Sequence, residues 1–184
     1  MMLITGGARS GKSRFAEQVA EKRGGEVLYI ATSVVTDAEM AERIRYHQQQ
    51  RPAHWHTFES YRDLGNIILE HQVQFPTIII ECITTLMTNL LFDIAGETSV
   101  EDMDFEAIEQ HIFAQTTQLT KVAQQADSEV IIVTNEVGMG IVPDNLLARR
   151  FRDIAGRVNQ QLAAAADDVY LIVSGIPVPV KTSE

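Results

Sequence analysis

The feature that most constrains this chain is Gly6-x-x-x-x-Gly11-Lys12-Ser13, which satisfies every fixed position of the phosphate-loop pattern G-x-x-x-x-G-K-[ST]. Leu3-Ile4-Thr5 before it reads as a short buried strand. Phe15, Ala16, Val19 and Ala20 after it form the apolar stripe of a helix from about Lys12 to Arg23, stopped by Gly24-Gly25. Glycines let the backbone close around an anion where a Cβ would clash. The loop opens into a helix, so free N–H groups and the positive end of the helix dipole face the bound phosphates. Gly6, Gly7, Ala8, Arg9, Ser10, Gly11, Lys12 and Ser13 are therefore the candidate nucleotide-binding residues, with Lys12 reaching the β/γ-phosphates and the Ser13 hydroxyl available to Mg²⁺.

Strand and helix signals alternate along the rest of the chain. Val27–Ala31, Thr77–Ile80, Glu129–Thr134 and Val169–Val173 are uninterrupted apolar runs of strand length. Helical periodicity is expected from Thr36 to about Gln50, around Leu64–Ile68, from Thr84 to Ile94, through roughly Gln125 after an acidic opening, and from Asp144 through Leu162. Arg51–Glu59 reads as an irregular stretch, and Pro177-Val178-Pro179 as the end of the fold. This pattern predicts an α/β, P-loop nucleotide-binding fold with a mainly parallel sheet and helices on both faces, in a single domain over residues 1–184.

Two further positions carry chemistry. Glu81 closes the Thr77–Ile80 strand, where a carboxylate can be oriented to the Mg²⁺ shell. Glutamate is longer than the usual aspartate, so it could hold a water of the metal or polarise a substrate hydroxyl. His47 lies one helical turn from both Arg43 and Arg51. A neutral imidazole is available there near pH 7, although a lone histidine on a helix reads first as a solvated one. His54, His56, His71 and His111 read as ordinary solvated histidines, and no metal-binding His/Cys/carboxylate spacing is apparent.

Charge narrows the partners. The net charge is −10, which argues against nucleic acid or an anionic membrane as partner. Residues 1–62 nevertheless hold nine Lys/Arg against seven Asp/Glu, and the remainder six against eighteen, so the mildly cationic part contains the phosphate loop. Cys82 is the sole cysteine, which suits a reducing cytoplasm. No apolar run approaches the roughly 18–20 residues of a membrane span, so membrane insertion is not expected.

The motifs together resemble the bifunctional adenosylcobinamide kinase/adenosylcobinamide-phosphate guanylyltransferase family of cobalamin biosynthesis. The resemblance rests on the phosphate loop, on Tyr29-Ile30-Ala31-Thr32-Ser33, on Arg43…His47-x-x-x-Arg51-Pro52-x-x-Trp55-x-Thr57-x-Glu59 and on Glu81-Cys82-Ile83-Thr84. It rests also on Thr134-Asn135-Glu136-Val137-Gly138-x-Gly140-Ile141-Val142-Pro143 and on Phe151-Arg152-Asp153-x-x-Gly156-Arg157-x-Asn159-Gln160. It implies phosphorylation of adenosylcobinamide from ATP or GTP, then transfer of GMP from GTP to adenosylcobinamide phosphate through a guanylylated histidine, which the motif places at His47. Tyr46 stands where some relatives have another histidine. It further implies a nucleotide site that adds Thr32, Ser33, Val34, Gln48, Gln49, Gln50, Arg51, Glu59 and Glu81 to the phosphate loop, and a homotrimer. A P-loop kinase for another small alcohol is the nearest alternative. A non-enzymatic nucleotide switch is the other, although the N-K-x-D guanine motif of switch GTPases is absent.

Overall fold

A computed structural model describes residues 1–34, 42 and 52–183. The strands are β1 (Met2–Gly6), β2 (Val27–Ala31), β3 (His56–Glu59), β4 (Thr77–Glu81), β5 (Glu129–Val133), β6 (Asp168–Val173) and β7 (Ile176–Lys181). The helices are α1 (Lys12–Arg23), α2 (Leu64–His71), α3 (Ile83–Ala95), α4 (Phe105–Gln125) and α5 (Leu146–Ala165). The sheet runs β3-β2-β4-β5-β1-β6-β7, parallel except for the β6–β7 pair. The expected α/β, P-loop architecture is therefore present. The helix predicted over Thr36–Gln50 falls outside the described residues except for Glu42, which is helical.

Continuous apolar strands are needed because both faces of the sheet are covered. Leu3, Leu28, Ile30, Ile78, Ile80, Val130 and Ile132 point into a core shared with α2, α3, α4 and α5. Their neighbours Met2, Ile4, Tyr29, Ile79, Ile131 and Val133 point the other way, against Ala16 and Ala20 of α1 and against Trp55. Helix starts follow local chemistry. Asp104 and Asn145 accept hydrogen bonds from Ala107 N and Ala148 N, capping α4 and α5. Among the described residues, no helix is long and apolar enough to cross a membrane.

Two strands were not expected. His56–Glu59 pairs in parallel with Leu28–Ala31, although all four residues are exposed. The strand is an exposed edge, where His56 and Phe58 meet Phe75 and His71 by ring contacts, so its sequence shows no buried–exposed alternation to detect. The proline-rich terminus is likewise not an end but β7, antiparallel to β6. Pro177 and Pro179 are tolerated because β7 is an edge, and their missing N–H groups blunt that edge against further strand pairing. The connecting turn has positive φ at Ser174 (51°) and Gly175 (83°), the geometry of a two-residue hairpin.

The order of strands decides where a ligand goes. From β1 the chain crosses through α1 toward β2 on one side, whereas from β5 it crosses through α5 to β6 on the other. The crevice outside the carboxyl ends of the strands opens where these directions diverge, at β1 and its phosphate loop. Ile80 is fully buried in the central strand β4. Ile80→Ala is expected to destabilise the fold by about 2–5 kcal/mol, whereas Val73→Ala, at a position 90% exposed, should stay within about 0.5 kcal/mol. Urea unfolding of the two variants checks this.

Candidate active site

The phosphate loop is shaped by what surrounds two of its glycines. Gly6 has φ 154°, and a Cβ there would lie 2.6 Å from the Ile172 carbonyl oxygen and 2.8 Å from Ser10 Oγ. Gly11 has φ 101°, and a Cβ there would come within 3.2 Å of Gly175 Cα. The Gly175 N–H donates to the Ser10 carbonyl at 2.8 Å, so the β6–β7 turn braces the loop from outside. Lys12 is buried and its Nζ donates to the Gly7 carbonyl at 2.7 Å, folding its chain back over the loop. Burial lowers the Lys12 pKa from its ordinary 10.5, while the nearby Cys82 and Glu81 act in the opposite direction. Arg9, Ser10, Gly11, Lys12, Ser13, Arg14 and Glu17 line an open cavity of about 520 Å³. Ser10 Oγ is buried without a hydrogen-bond partner among the described residues.

Glu81 meets the loop directly. The Ser13 hydroxyl donates to Glu81 Oε1, and the Tyr29 hydroxyl donates to Oε2 at 2.5 Å. Each carboxylate oxygen is thus oriented by one hydroxyl, although β5 lies between β4 and β1. A serine hydroxyl in contact with a carboxylate, beside a buried lysine, is a donor set of hard oxygens that fits Mg²⁺. Among the described residues no group of three or more His, Cys, Asp or Glu is placed to hold a metal ion. Mg²⁺ commonly takes only one or two protein oxygens and completes its shell with water and phosphate.

The remaining predicted residues spread along the carboxyl edge. Thr32 is fully buried, and its hydroxyl donates to the Cys82 carbonyl at 2.8 Å and accepts from the Cys82 N–H at 2.9 Å. It joins β2 to β4. Ser33 is half-buried and Val34 exposed just beyond it. Glu59 pairs in register with Ala31, as Glu81 does from the other side. Glu59 is therefore four strand positions from β1, about 19 Å at ordinary strand spacing, and does not join the phosphate loop. His47, Gln48, Gln49, Gln50 and Arg51 lie outside the described residues. Beyond them, Trp55 is buried against the α1 face.

The motifs assigned no role to several residues of the site that they contain, and Asn89 lies in none of them. Tyr29 reads as a core residue from its apolar neighbours, and its hydroxyl on Glu81 emerges only in three dimensions. Asn89 Nδ2 donates to the Thr32 carbonyl at 2.8 Å. Thr134 Oγ1 donates to Asn159 Oδ1 at 2.8 Å, Asn159 Nδ2 to the Asn135 carbonyl at 3.0 Å, and Asn135 Nδ2 to Thr84 Oγ1 at 2.7 Å. These bonds tie α3 and α5 to the ends of β2 and β5. The available signal was polar residues at the ends of apolar strands, facing asparagines in otherwise amphipathic helices.

Comparison with known proteins places this geometry. Residues 2–180 match the family described as cobinamide kinase / cobinamide phosphate guanyltransferase. The chain is 54% identical over 181 residues to the bifunctional adenosylcobalamin biosynthesis protein CobU of Salmonella typhimurium, and 52% identical over 181 residues to that of Escherichia coli. Each alignment covers 98% of this chain and 99% of the relative. Among solved structures, a prototypical ATPase from the type III secretion system of pathogenic bacteria superposes with a TM-score of 0.55 at 12% identity, covering 92% of this chain and 51% of that one. That likeness concerns the fold alone. A phosphate loop and an oriented carboxylate on this sheet, with a family match over nearly the whole chain, lead to one assignment: the chain belongs to the cobinamide kinase/cobinamide phosphate guanyltransferase family.

Proposed function

We propose that this chain phosphorylates adenosylcobinamide from ATP or GTP at the phosphate loop, then transfers GMP from GTP to adenosylcobinamide phosphate through His47. The observation that carries the kinase half is the contact of Ser13 with Glu81 beside buried Lys12, at the mouth of a cavity of about 520 Å³. Lys12 and the loop N–H groups supply fixed positive charge where charge builds up on the transferred phosphoryl group. Little covalent chemistry is asked of the protein in that step, so positioning and electrostatics suffice. Ser13 and Glu81 would hold Mg²⁺, which when bound neutralises phosphate charge. Tyr29 keeps the Glu81 carboxylate turned toward Ser13.

Guanylyl transfer by a covalent route differs because it needs a protein nucleophile at the α-phosphate. His47, flanked by Arg43 and Arg51, supplies the residue types for it. A phosphoramidate on imidazole is acid-labile and base-stable, which makes the intermediate recognisable. We further propose a homotrimer in the cytoplasm. The exposed apolar residues of β7 (Ile176 65%, Val178 41%, Val180 64%) offer a surface for contact between copies, by packing rather than by strand pairing.

Lys12→Ala should lower kinase turnover by about 10²–10³-fold and weaken nucleotide binding. In the native enzyme, phosphate affinity should fall as pH rises into a window below 10.5. Burial has lowered the Lys12 pKa, and the neutral amine no longer attracts phosphate. Nucleotide titration by calorimetry against pH checks both statements.

Glu81→Gln should reduce Mg²⁺-dependent turnover by about 10²-fold with the fold intact. Tyr29→Phe should instead raise the Mg²⁺ concentration for half-maximal rate by about 10–100-fold, because it frees rather than removes the carboxylate. Rates across a Mg²⁺ series, with thermal melts as control, separate these outcomes. His47→Ala should abolish both the base-stable GMP adduct and GMP transfer, while much of the kinase activity remains. Incubation with α-labelled GTP followed by peptide mapping reads the adduct, and label persisting in the variant would assign the nucleophile elsewhere.

A further inference from the structure

Thr32 follows the wholly buried run of β2 and is itself fully buried, yet it is polar. Each of its polar groups is engaged. Its N–H donates to the Glu81 carbonyl at 2.9 Å, carrying the β2–β4 ladder one bond past the Ala31–Glu81 pair. Its hydroxyl donates to the Cys82 carbonyl at 2.8 Å and accepts from the Cys82 N–H at 2.9 Å. Its own carbonyl accepts from Asn89 Nδ2 at 2.8 Å, so α3 closes the set. A valine here would fill the same space but leave the buried hydroxyl's partners on Cys82 without it, and such groups are costly to strand in an interior. The Thr32 hydroxyl is thus spent inside the protein, on the residue that follows Glu81.

The consequence falls on the Glu81 carboxylate. A glutamate side chain swings on several rotatable bonds, so its tip stays in place only if its root does too. The tip is held by the Ser13 and Tyr29 hydroxyls, the second at 2.5 Å. At the root, the β4 ladder ends with Glu81, paired to Ala31 on one side and Val133 on the other. Beyond it, both main-chain groups of Cys82 are held by the Thr32 hydroxyl, and the carbonyl also by the Leu86 N–H. Tyr29 lies in β2 and Thr32 in its continuation, so one strand grips Glu81 at both ends of its side chain. We propose that Thr32 is a positioning residue for Glu81, its hydroxyl fixing the main chain from which the carboxylate reaches Ser13, with Asn89 fixing Thr32 in turn. The inference rests on the reading of Ser13 and Glu81 as the Mg²⁺ position and adds to it the residues that aim the carboxylate.

The test uses Mn²⁺ as the probe of the metal position, titrated into the full chain with a non-hydrolysable GTP analogue and followed by electron paramagnetic resonance. Calorimetry measures binding of the same analogue without metal. Thr32→Val is compared with Thr32→Ser, Asn89→Ala and Glu81→Gln, with a thermal melt on each. The expected result is a Mn²⁺ Kd raised about tenfold or more in Thr32→Val. Thr32→Ser, which keeps the hydroxyl, should restore it, and Asn89→Ala should raise it by a smaller factor. Metal-free binding of the analogue should be unchanged in all three. Added to Glu81→Gln, Thr32→Val should have no further effect, because it acts through the carboxylate. Asn89 is half-buried, so Asn89→Ala carries the test if Thr32→Val does not fold. An unchanged Mn²⁺ Kd in the folded variant overturns the proposal and leaves Thr32 a packing residue. An equal loss of metal-free binding also overturns it and makes Thr32 a nucleotide contact. A Glu81→Gln protein with the parent's Mn²⁺ affinity refutes the underlying reading of Ser13 and Glu81, and the inference with it, which keeps the two failures distinct.

Discussion

The structure depends on one steric constraint, the absence of side chains at Gly6 and Gly11. The first glycine lies against the Ile172 carbonyl and the second against Gly175. A loop that wraps phosphate must turn its N–H groups inward, and it can do so only where no Cβ forces the chain outward. Here that loop is clasped between β1 and the β6–β7 turn, with the Ser10–Gly175 hydrogen bond closing the clasp. The antiparallel hairpin at the far edge of the sheet thereby becomes a support for the phosphate site, which gives β7 a role beyond its own burial.

From that fixed loop the rest of the site is laid out by strand order. Placing β5 between β1 and β4 sets Glu81 across from Ser13 rather than beside it, close enough for the serine hydroxyl to reach the carboxylate. Tyr29, two strands from β5, supplies the second hydroxyl on Glu81 from the same face of the sheet as α1. The asparagine and threonine network on the opposite face holds the ends of β2 and β5 to α3 and α5. Two faces of one sheet thus do different work. The α1 face brings Tyr29 and Ser13 onto Glu81, and the other face anchors the loop that follows β5.

This division bears on how one chain can serve two reactions. Phosphoryl transfer needs a rigid cradle, and the described residues supply one in Gly6–Ser13, Glu81 and Tyr29. Covalent guanylyl transfer needs instead a nucleophile at the α-phosphate, and the candidate for it, His47, stands in a separate stretch of the sequence.

The sequence by itself determined the fold class and the phosphate loop. Continuous apolar strands, a glycine-rich turn and amphipathic helices are local patterns, and each stretch states its own preference. It likewise marked Glu81, because a carboxylate ending a buried strand is a local anomaly. Only the tertiary structure decided that β3 and β7 exist, since their exposed residues carry no buried–exposed alternation and their pairing depends on a neighbouring strand. Only it showed that Tyr29 touches Glu81, that Thr32 is occupied with Cys82, and that Glu59 stands far from the phosphate loop. Those facts depend on which strands are neighbours. Strand order follows from how crossovers pack on both faces of the sheet, a property of the whole chain that no single segment encodes.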